Sequence, residues 1–279
     1  MFNKIPTKKT FYGKHFLAVL NVSDEVKPVV EVATALAEAY KGKITAVNFV
    51  VLPYVTPLSV GVTYSEGPSK NLRTACQYHS QNSPVDCLLL LSHNRRKTIS
   101  NTTYKKKIDF VIGSYQGFMD IYKNLKEVLT EIPANTMILQ PISNKNIGDY
   151  RRIIVPFLKS PHTPLAVDTA CILAKAYDQK MTILHNLKQK NIEKLCEKTL
   201  NRLDTKPDSI SMKKTKSGQN SIISRILKEV REDTWLILPA YKSAWWTSIL
   251  PRSKQGNLFE KIIRRLQIPV MIVKKKNNN

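Results

Sequence analysis

Cysteine, glycine and acidic side chains are all scarce in this chain of 279 residues. Its four cysteines, Cys76, Cys87, Cys171 and Cys196, lie far apart with no C-x-x-C pair, which excludes a disulfide scaffold and the common zinc modules. The nearest metal-like spacing is Cys76 and His79 followed by Cys87 and His93, but Cys87 falls in an apolar, strand-like run, so four reduced thiols in a cytosolic protein are expected. With only nine glycines, the chain contains no G-x-x-x-x-G-K-[ST] or G-x-G-x-x-G, and H-E-x-x-H and G-x-S-x-G are absent too. No carboxylate or metal set stands beside a candidate loop, and no enzymatic activity is expected. Acidic residues number 21 against 44 lysines and arginines, a formal net charge of +23. That balance selects anionic partners, whether nucleic acid, an acidic membrane face or soluble phosphate, without dictating a fold. Long apolar runs are missing as well. The one uncharged stretch long enough to consider, Ile44 to Ser65, contains Pro53, Pro57 and Gly61 and reads as a strand ending near Leu52 followed by a loop. The basic N-terminus has no apolar stretch behind it and is not a secretory signal, so a cytoplasmic location is expected.

What the chain does have is a globular composition, 42% hydrophobic and 23% charged, at a length that favours two domains. It also has an internal repeat. A shift of 137 positions lays Lys14 through Val50 on Arg151 through Leu187 without a gap, with nine identities that include Ala33 with Ala170, Leu36 with Leu173, Tyr40 with Tyr177 and Thr45 with Thr182. Farther on, Asp109-Phe-Val-Ile-Gly-Ser-Tyr115 matches Trp235-Leu-Ile-Leu-Pro-Ala-Tyr241, and Thr136-Met-Ile-Leu139 matches Val270-Met-Ile-Val273. Repeats of this size indicate duplicated domains rather than solenoid units, over 12–142 and 150–275, with the joint in the polar run Ile142 to Tyr150. Two similar domains packed together are expected, and a single sheet continuous through both halves counts against the duplication.

Within each copy the periodicity alternates. Phe16 to Leu20 has strand length, Val26 to Tyr40 recurs at helical spacing, Gly42 stops the helix, and Ile44 to Leu52 is the next strand. Further strands are expected at Val85 to Ser92, Ile108 to Gly113 and Thr136 to Gln140, with a helix from Tyr122 to Glu131. The second copy repeats the order, with strands near Ile153 to Leu158, Met181 to Leu187, Ser209 to Lys213, Thr234 to Pro239 and Pro269 to Val273. Its helices are expected at Pro164 to Tyr177, Asn191 to Leu203, Asn220 to Arg231 and Asn257 to Leu266. Nearly continuous apolar strands joined through helices mean parallel pairing, so each half reads as a doubly wound, Rossmann-like α/β domain whose ligands belong at the carboxyl ends of the strands.

Three segments carry a resemblance: Ile153-Ile-Val-Pro156 opening a domain, the alanine-rich helix with Leu-Ala-x-Ala-Tyr, and Gly256-Asn-Leu-Phe-Glu-Lys-Ile-Ile-Arg-Arg-Leu-Gln-Ile-Pro-Val-Met-Ile-Val273. On these the chain resembles the universal stress protein family in its tandem, two-domain form. The resemblance implies a five-stranded parallel sheet of order 3-2-1-4-5 in each half and pairing of the halves through their fifth strands as an intramolecular pseudo-dimer. In some members it also implies ATP at the ends of the first and fourth strands. Those members hold the adenosine with an aspartate after the first strand and the phosphates with a glycine loop, G-x2-G-x9-G followed by Ser, Thr or Asn. Here Asn21 and Leu158 stand at the aspartate positions. Copy one keeps Gly113 and Gly117 but has Tyr122 and Lys123 where the third glycine and its hydroxyl partner belong; copy two keeps Gly256 and Asn257 but opens its loop with Pro239-Ala-Tyr-Lys242 and adds Ser243-Ala-Trp-Trp246.

The expected function is a non-enzymatic stress-response or regulatory module that binds a small phosphate-bearing ligand or a protein partner. Pro156, Ser160, His185, Ala240, Lys242, Lys254, Gly256 and Asn257 are the candidate ligand residues, and Asn21, Ser23, Gly113 and Gly117 form a degenerate site in copy one. No cofactor is required by the residues, with ATP or another nucleotide the candidate, and no metal is expected. The alternative is a basic protein binding nucleic acid or an acidic membrane face nonspecifically, or a soluble partner of a membrane transporter. Basic runs at Arg95 to Lys97, Lys105 to Lys107, Lys213 to Lys216 and Lys274 to Lys276 read singly as solvated faces or tails. Residues 1 to 145 carry a net +8 (18 basic, 10 acidic) and residues 146 to 279 a net +15 (26 basic, 11 acidic), which puts anion binding in the second half.

Overall fold

The structure, a computed structural model, describes residues 13–21, 25–57, 65–77, 85–141, 145–157, 160–185, 210–214, 225–240 and 268–276, with positions 59, 193, 194 and 197. The first half contains β1 (His15–Val19), α1 (Val26–Ala39), β2 (Lys43–Val51), α2 (Glu66–Gln77), β3 (Val85–Ser92), α3 (Arg95–Lys105), β4 (Phe110–Ser114), α4 (Tyr115–Met119), α5 (Leu125–Glu131) and β5 (Asn135–Gln140). The second contains β6 (Arg152–Phe157), α6 (Thr163–Ala176), β7 (Lys180–His185), β8 (Ile210–Lys214), β9 (Thr234–Pro239) and β10 (Val270–Lys274), with residues 225–229 helical. The helices expected at Asn191 to Leu203 and Asn257 to Leu266 lie largely or wholly outside the described residues.

The described strands form one sheet of ten, in the order β3-β2-β1-β4-β5-β10-β9-β6-β7-β8. Each half has the order 3-2-1-4-5 with parallel neighbours, and the halves meet where β5 pairs antiparallel with β10. A sheet continuous through both halves is therefore not an argument against duplication. The fifth strand is an open edge of each half, and mutual pairing satisfies both edges at once. Ile138 lies opposite Ile272, the residue that matches it in the repeat, so a pseudo-twofold axis passes between them, as in an isologous interface.

The duplication extends to hydrogen bonds. Tyr40 N–H to Leu36 O and Lys43 N–H to Lys14 O, both 3.0 Å, recur 137 residues later as Tyr177 to Leu173 and Lys180 to Arg151, again 3.0 Å. One match needs correction. Phe110 and Trp235 share one core layer, while Val111 and Leu236 share the other, so β4 aligns with β9 one residue away from the alignment read in the sequence. A one-residue slip in a strand exchanges its faces, and only the sheet's two sides decide it.

The layers follow from alternation in the strands. Phe16, Ala18, Ile44, Ile112, Met137, Ile153 and Trp235 bury against α1, α2 and α6, and Leu17, Val111, Ile138, Leu236 and Ile272 against α3, α4, α5 and residue 226. Gly42 does not stop α1 through its own backbone. Lys41 takes the left-handed conformation (φ 50°), and Gly42 is required because a Cβ there would lie 2.1 Å from the Lys14 carbonyl oxygen.

The joint is packed. A 3₁₀ turn, Ile147–Asp149, is closed by reciprocal Asn146 and Asp149 bonds, and the Gln179 side-chain amide donates to the Ile147 and Tyr150 carbonyls at 2.8 and 2.7 Å. Among the cysteines, Cys171 is a buried thiol 3.7 Å from Met181 Sδ, whereas Cys87 is disulfide-bonded, which corrects the expectation of four reduced thiols. Packing of α2 on β3 sets the Cys87 environment, with its Sγ 3.6 Å from the Leu72 carbonyl oxygen.

Candidate functional site

The strand order reverses beside β1 and β4 in the first half and beside β6 and β9 in the second, and the candidate residues collect at those two strand ends. In copy one the crevice is filled by the chain itself. Asn21, just past β1, donates its side-chain amide to the Gly117 carbonyl at 3.0 Å, and the Ser114 hydroxyl accepts the Gly117 N–H at 3.0 Å, starting α4 directly from β4. A Cβ on Gly113 would lie 2.8 Å from the fully buried Phe118 ring, and one on Gly117 would lie 2.8 Å from Ser114 Oγ. Both glycines therefore permit close packing. Ser23, the remaining candidate in this half, lies outside the described residues.

The amides that enter α5 are engaged as well. Asn124 caps the helix by accepting the Glu127 N–H at 3.0 Å, while the Glu127 carboxylate turns back to accept the Lys123 N–H at 3.0 Å. Arg96 on α3 holds that carboxylate, pairs with Glu131 at 3.6 Å, donates to the Ile121 carbonyl at 3.1 Å and lies 5.1 Å from the centre of the Tyr122 ring. Tyr122 is buried, and burial first, then Glu131, push its phenol up against the opposing pull of Arg96. A carboxylate of the chain thus occupies an amide at the entry to α5. Sequence reading singled out Tyr122 and Lys123 but missed Ser114, Phe118, Arg96 and Glu127. Of these, only the Asn124-x-x-Glu127 capping box left a legible signal.

Copy two differs at the same place. The β1 to β4 ladder runs through four pairs to Val19 opposite Gly113, but the β6 to β9 ladder has three and stops at Ile154 opposite Leu236. Pro156, which matches Val19 in the repeat, has no N–H to donate, so the ladder ends before β6 does. Beyond it the Ser160 hydroxyl donates to the Ala240 carbonyl at 2.7 Å and accepts the His162 N–H at 3.2 Å, and Ala240 N–H donates to the Val273 carbonyl at 2.7 Å. His185, 1% exposed, ends β7 in register with Phe157 and Lys214. The structure thus gathers Pro156, Ser160, His185 and Ala240 at the carboxyl ends of neighbouring strands. Lys242, Lys254, Gly256 and Asn257 lie outside the described residues.

The metal-like spacing has other uses. Cys87 is disulfide-bonded, and the His93 ring nitrogen Nδ1 faces the Leu52 carbonyl at 3.0 Å while the ring stacks on Tyr54. Among the described residues, no helix is long and apolar enough to cross a membrane.

These features define a class: two doubly wound α/β units of order 3-2-1-4-5 in one chain, joined antiparallel through their fifth strands. This is the universal stress protein fold in tandem form. A universal stress protein from Archaeoglobus fulgidus superposes with a TM-score of 0.56 at 12% identity, covering 96% of this chain and 100% of that one. The cytoplasmic domain of a prokaryotic cation chloride cotransporter gives 0.50 at 10% identity over 96% and 98%, and a protein of unknown function from Pseudomonas aeruginosa gives 0.50 at 10% over 95% and 94%. No family model and no curated protein matches the sequence.

Proposed function

We propose that the chain is a non-enzymatic stress-response or regulatory module of the cytoplasm that takes a small phosphate-bearing ligand, a nucleotide among them, in copy two alone. The supporting observation is the contrast between the strand ends. Copy one occupies its strand ends with Asn21, Ser114, Phe118 and Glu127, while in copy two Pro156 ends the ladder with β9 early and the polar groups Ser160 and Ala240 meet at the strand ends. Gly256 and Asn257 precede an apolar helical pattern, where exposed amides suit a phosphate, and Lys242 and Lys254 supply charge. The missing aspartate at Leu158 makes adenosine recognition poor, so inorganic phosphate and other nucleotides compete with ATP. The fold shared with a universal stress protein and with a transporter's cytoplasmic domain supports a binding role over catalysis.

Calorimetry with ATP, ADP and inorganic phosphate tests the reading. One site per chain is expected, lost in Gly256→Val with the fold retained. Two equal sites, or binding indifferent to the valine, would overturn it.

A further inference from the structure

We propose that one rim of the sheet is a binding track for the sugar-phosphate backbone of single-stranded nucleic acid. The antiparallel joint puts the amino-terminal strand ends of copy one on the same side as the carboxyl-terminal strand ends of copy two. Along that side, four of five neighbouring strands are entered or left through lysines: Lys41 and Lys43 at β2, Lys14 at β1, Lys105 to Lys107 before β4, and then, past β5 with its Asn135, Lys275 and Lys276 after β10. All are exposed except Lys43, which is half-buried.

The row is continuous by hydrogen bonds. Lys43 N–H donates to Lys14 O (3.0 Å), Asp109 N–H to His15 O (2.9 Å), Asn135 N–H to Asp109 O (3.0 Å) and Lys276 N–H to Asn135 Oδ1 (2.8 Å). Four strand spacings from β2 to β10 make it roughly 20 Å long. Acidic neighbours are few. Glu38 and Asp86 are exposed, Asp109 is already paired with Lys14 at 3.0 Å, and Glu131 with Arg96.

The duplicated half is an internal control. The backbone that places Lys41 at φ 50° places Asp178 at φ 50° in copy two, and with Phe110 matched to Trp235 the turn entering β9 carries Arg231 and Glu232 where the turn entering β4 carries Lys106 and Lys107. The fold accepts acids at these turns, so it does not itself demand lysine. Lys107 keeps a left-handed conformation (φ 51°) that favours glycine or asparagine, yet the charge stands there. A line of cations matches a linear polyanion better than a plane of headgroups. Tyr104, 84% exposed at the end of α3 beside Lys105, offers a face on which a base can stack, which duplex bases cannot use.

The test uses a fluorescein-labelled oligothymidylate and the full chain. Wild type should bind at low salt, and with about six phosphates engaged the affinity should fall roughly 300-fold between ~50 and ~200 mM salt. The triple variant Lys41→Asp, Lys106→Glu, Lys107→Glu, which puts at 41 and 107 the acids that copy two carries at 178 and 232, should lose at least about tenfold with a shallower salt slope. Tyr104→Ala should weaken the single strand about tenfold and a duplex of equal length hardly at all. A charge-matched control, Lys123→Glu, Lys175→Glu, Lys228→Glu, alters exposed lysines away from the row and should retain most affinity. An equal loss in the control would assign binding to net charge and overturn the track. So would no binding at low salt, or a triple variant that loses phosphatidylserine vesicles while keeping the oligonucleotide.

Discussion

Lys274 is a cation buried at the joint between the halves. Its ammonium leaves β10 and donates to the Ile132 carbonyl at 2.8 Å and the Ala134 carbonyl at 3.4 Å, capping the end of α5 in the other half. Burial, then Lys276, lower its pKa from 10.5 to about 8. Between those values the unfolded chain holds one more proton than the native chain, so stability rises with pH from about 8 to 10.5 and the gain is absent below. Urea unfolding of wild type and Lys274→Met across this range should show the extra rise only in wild type, and parallel curves would refute the assignment. Neither this lysine nor Arg96 could be read as structural from the sequence, because each stands in a basic run like the others. What buries one lysine of Lys274 to Lys276 is the partner strand, not its neighbours in the chain.

At the level of elements, legibility tracked the apolar pattern. Thr234–Pro239 and Val85–Ser92 fall where the apolar runs predict, and α1 and α6 fall within a residue or two of their periodic stretches. Helix α3 was not anticipated, since it buries only Ile99 and Thr103 and presents no apolar stripe to detect. Helix α4 is a single turn whose start depends on the Ser114 cap, and the expected helix from Tyr122 begins at Leu125 because Asn124 takes the capping position. The closure of copy one is a property of this β4 to α5 segment. Gly113→Ala should cost about 1–3 kcal/mol by forcing a methyl against Phe118. Chemical denaturation would measure it, and the penalty should shrink in a Phe118→Leu background; an unchanged penalty would mean the ring is not the obstacle.

For the whole molecule the decisive contact is the antiparallel pair β5 and β10, in register from Thr136 opposite Lys274 to Gln140 opposite Val270. Helices α1 and α6 pack on each other, and α6 also packs on β10. Cleavage at a protease site inserted between Ser143 and Lys145 should leave two fragments that elute together, and their separation on a sizing column in native buffer would contradict the seam's strength. Ile272→Glu in the cleaved protein should release them, because the carboxylate would face Ile138 at the pseudo-twofold axis.

The sequence by itself determined the duplication, the alternation of strands and helices, and the excess of positive charge, because apolar period and residue identity are local quantities that survive without coordinates. It also placed Pro156, Ser160, His185 and Ala240 among the candidate residues. Only the tertiary structure decided the register in which the fifth strands pair, that β4 aligns with β9 one residue from the apparent match, and that Arg96 and Glu127 engage the entry to α5. Each of these depends on contacts between residues tens of positions apart or more, and on which face of a strand meets which layer. The lysine track is of the same kind. Its members are scattered along the chain, and the antiparallel joint brings the last two beside the rest.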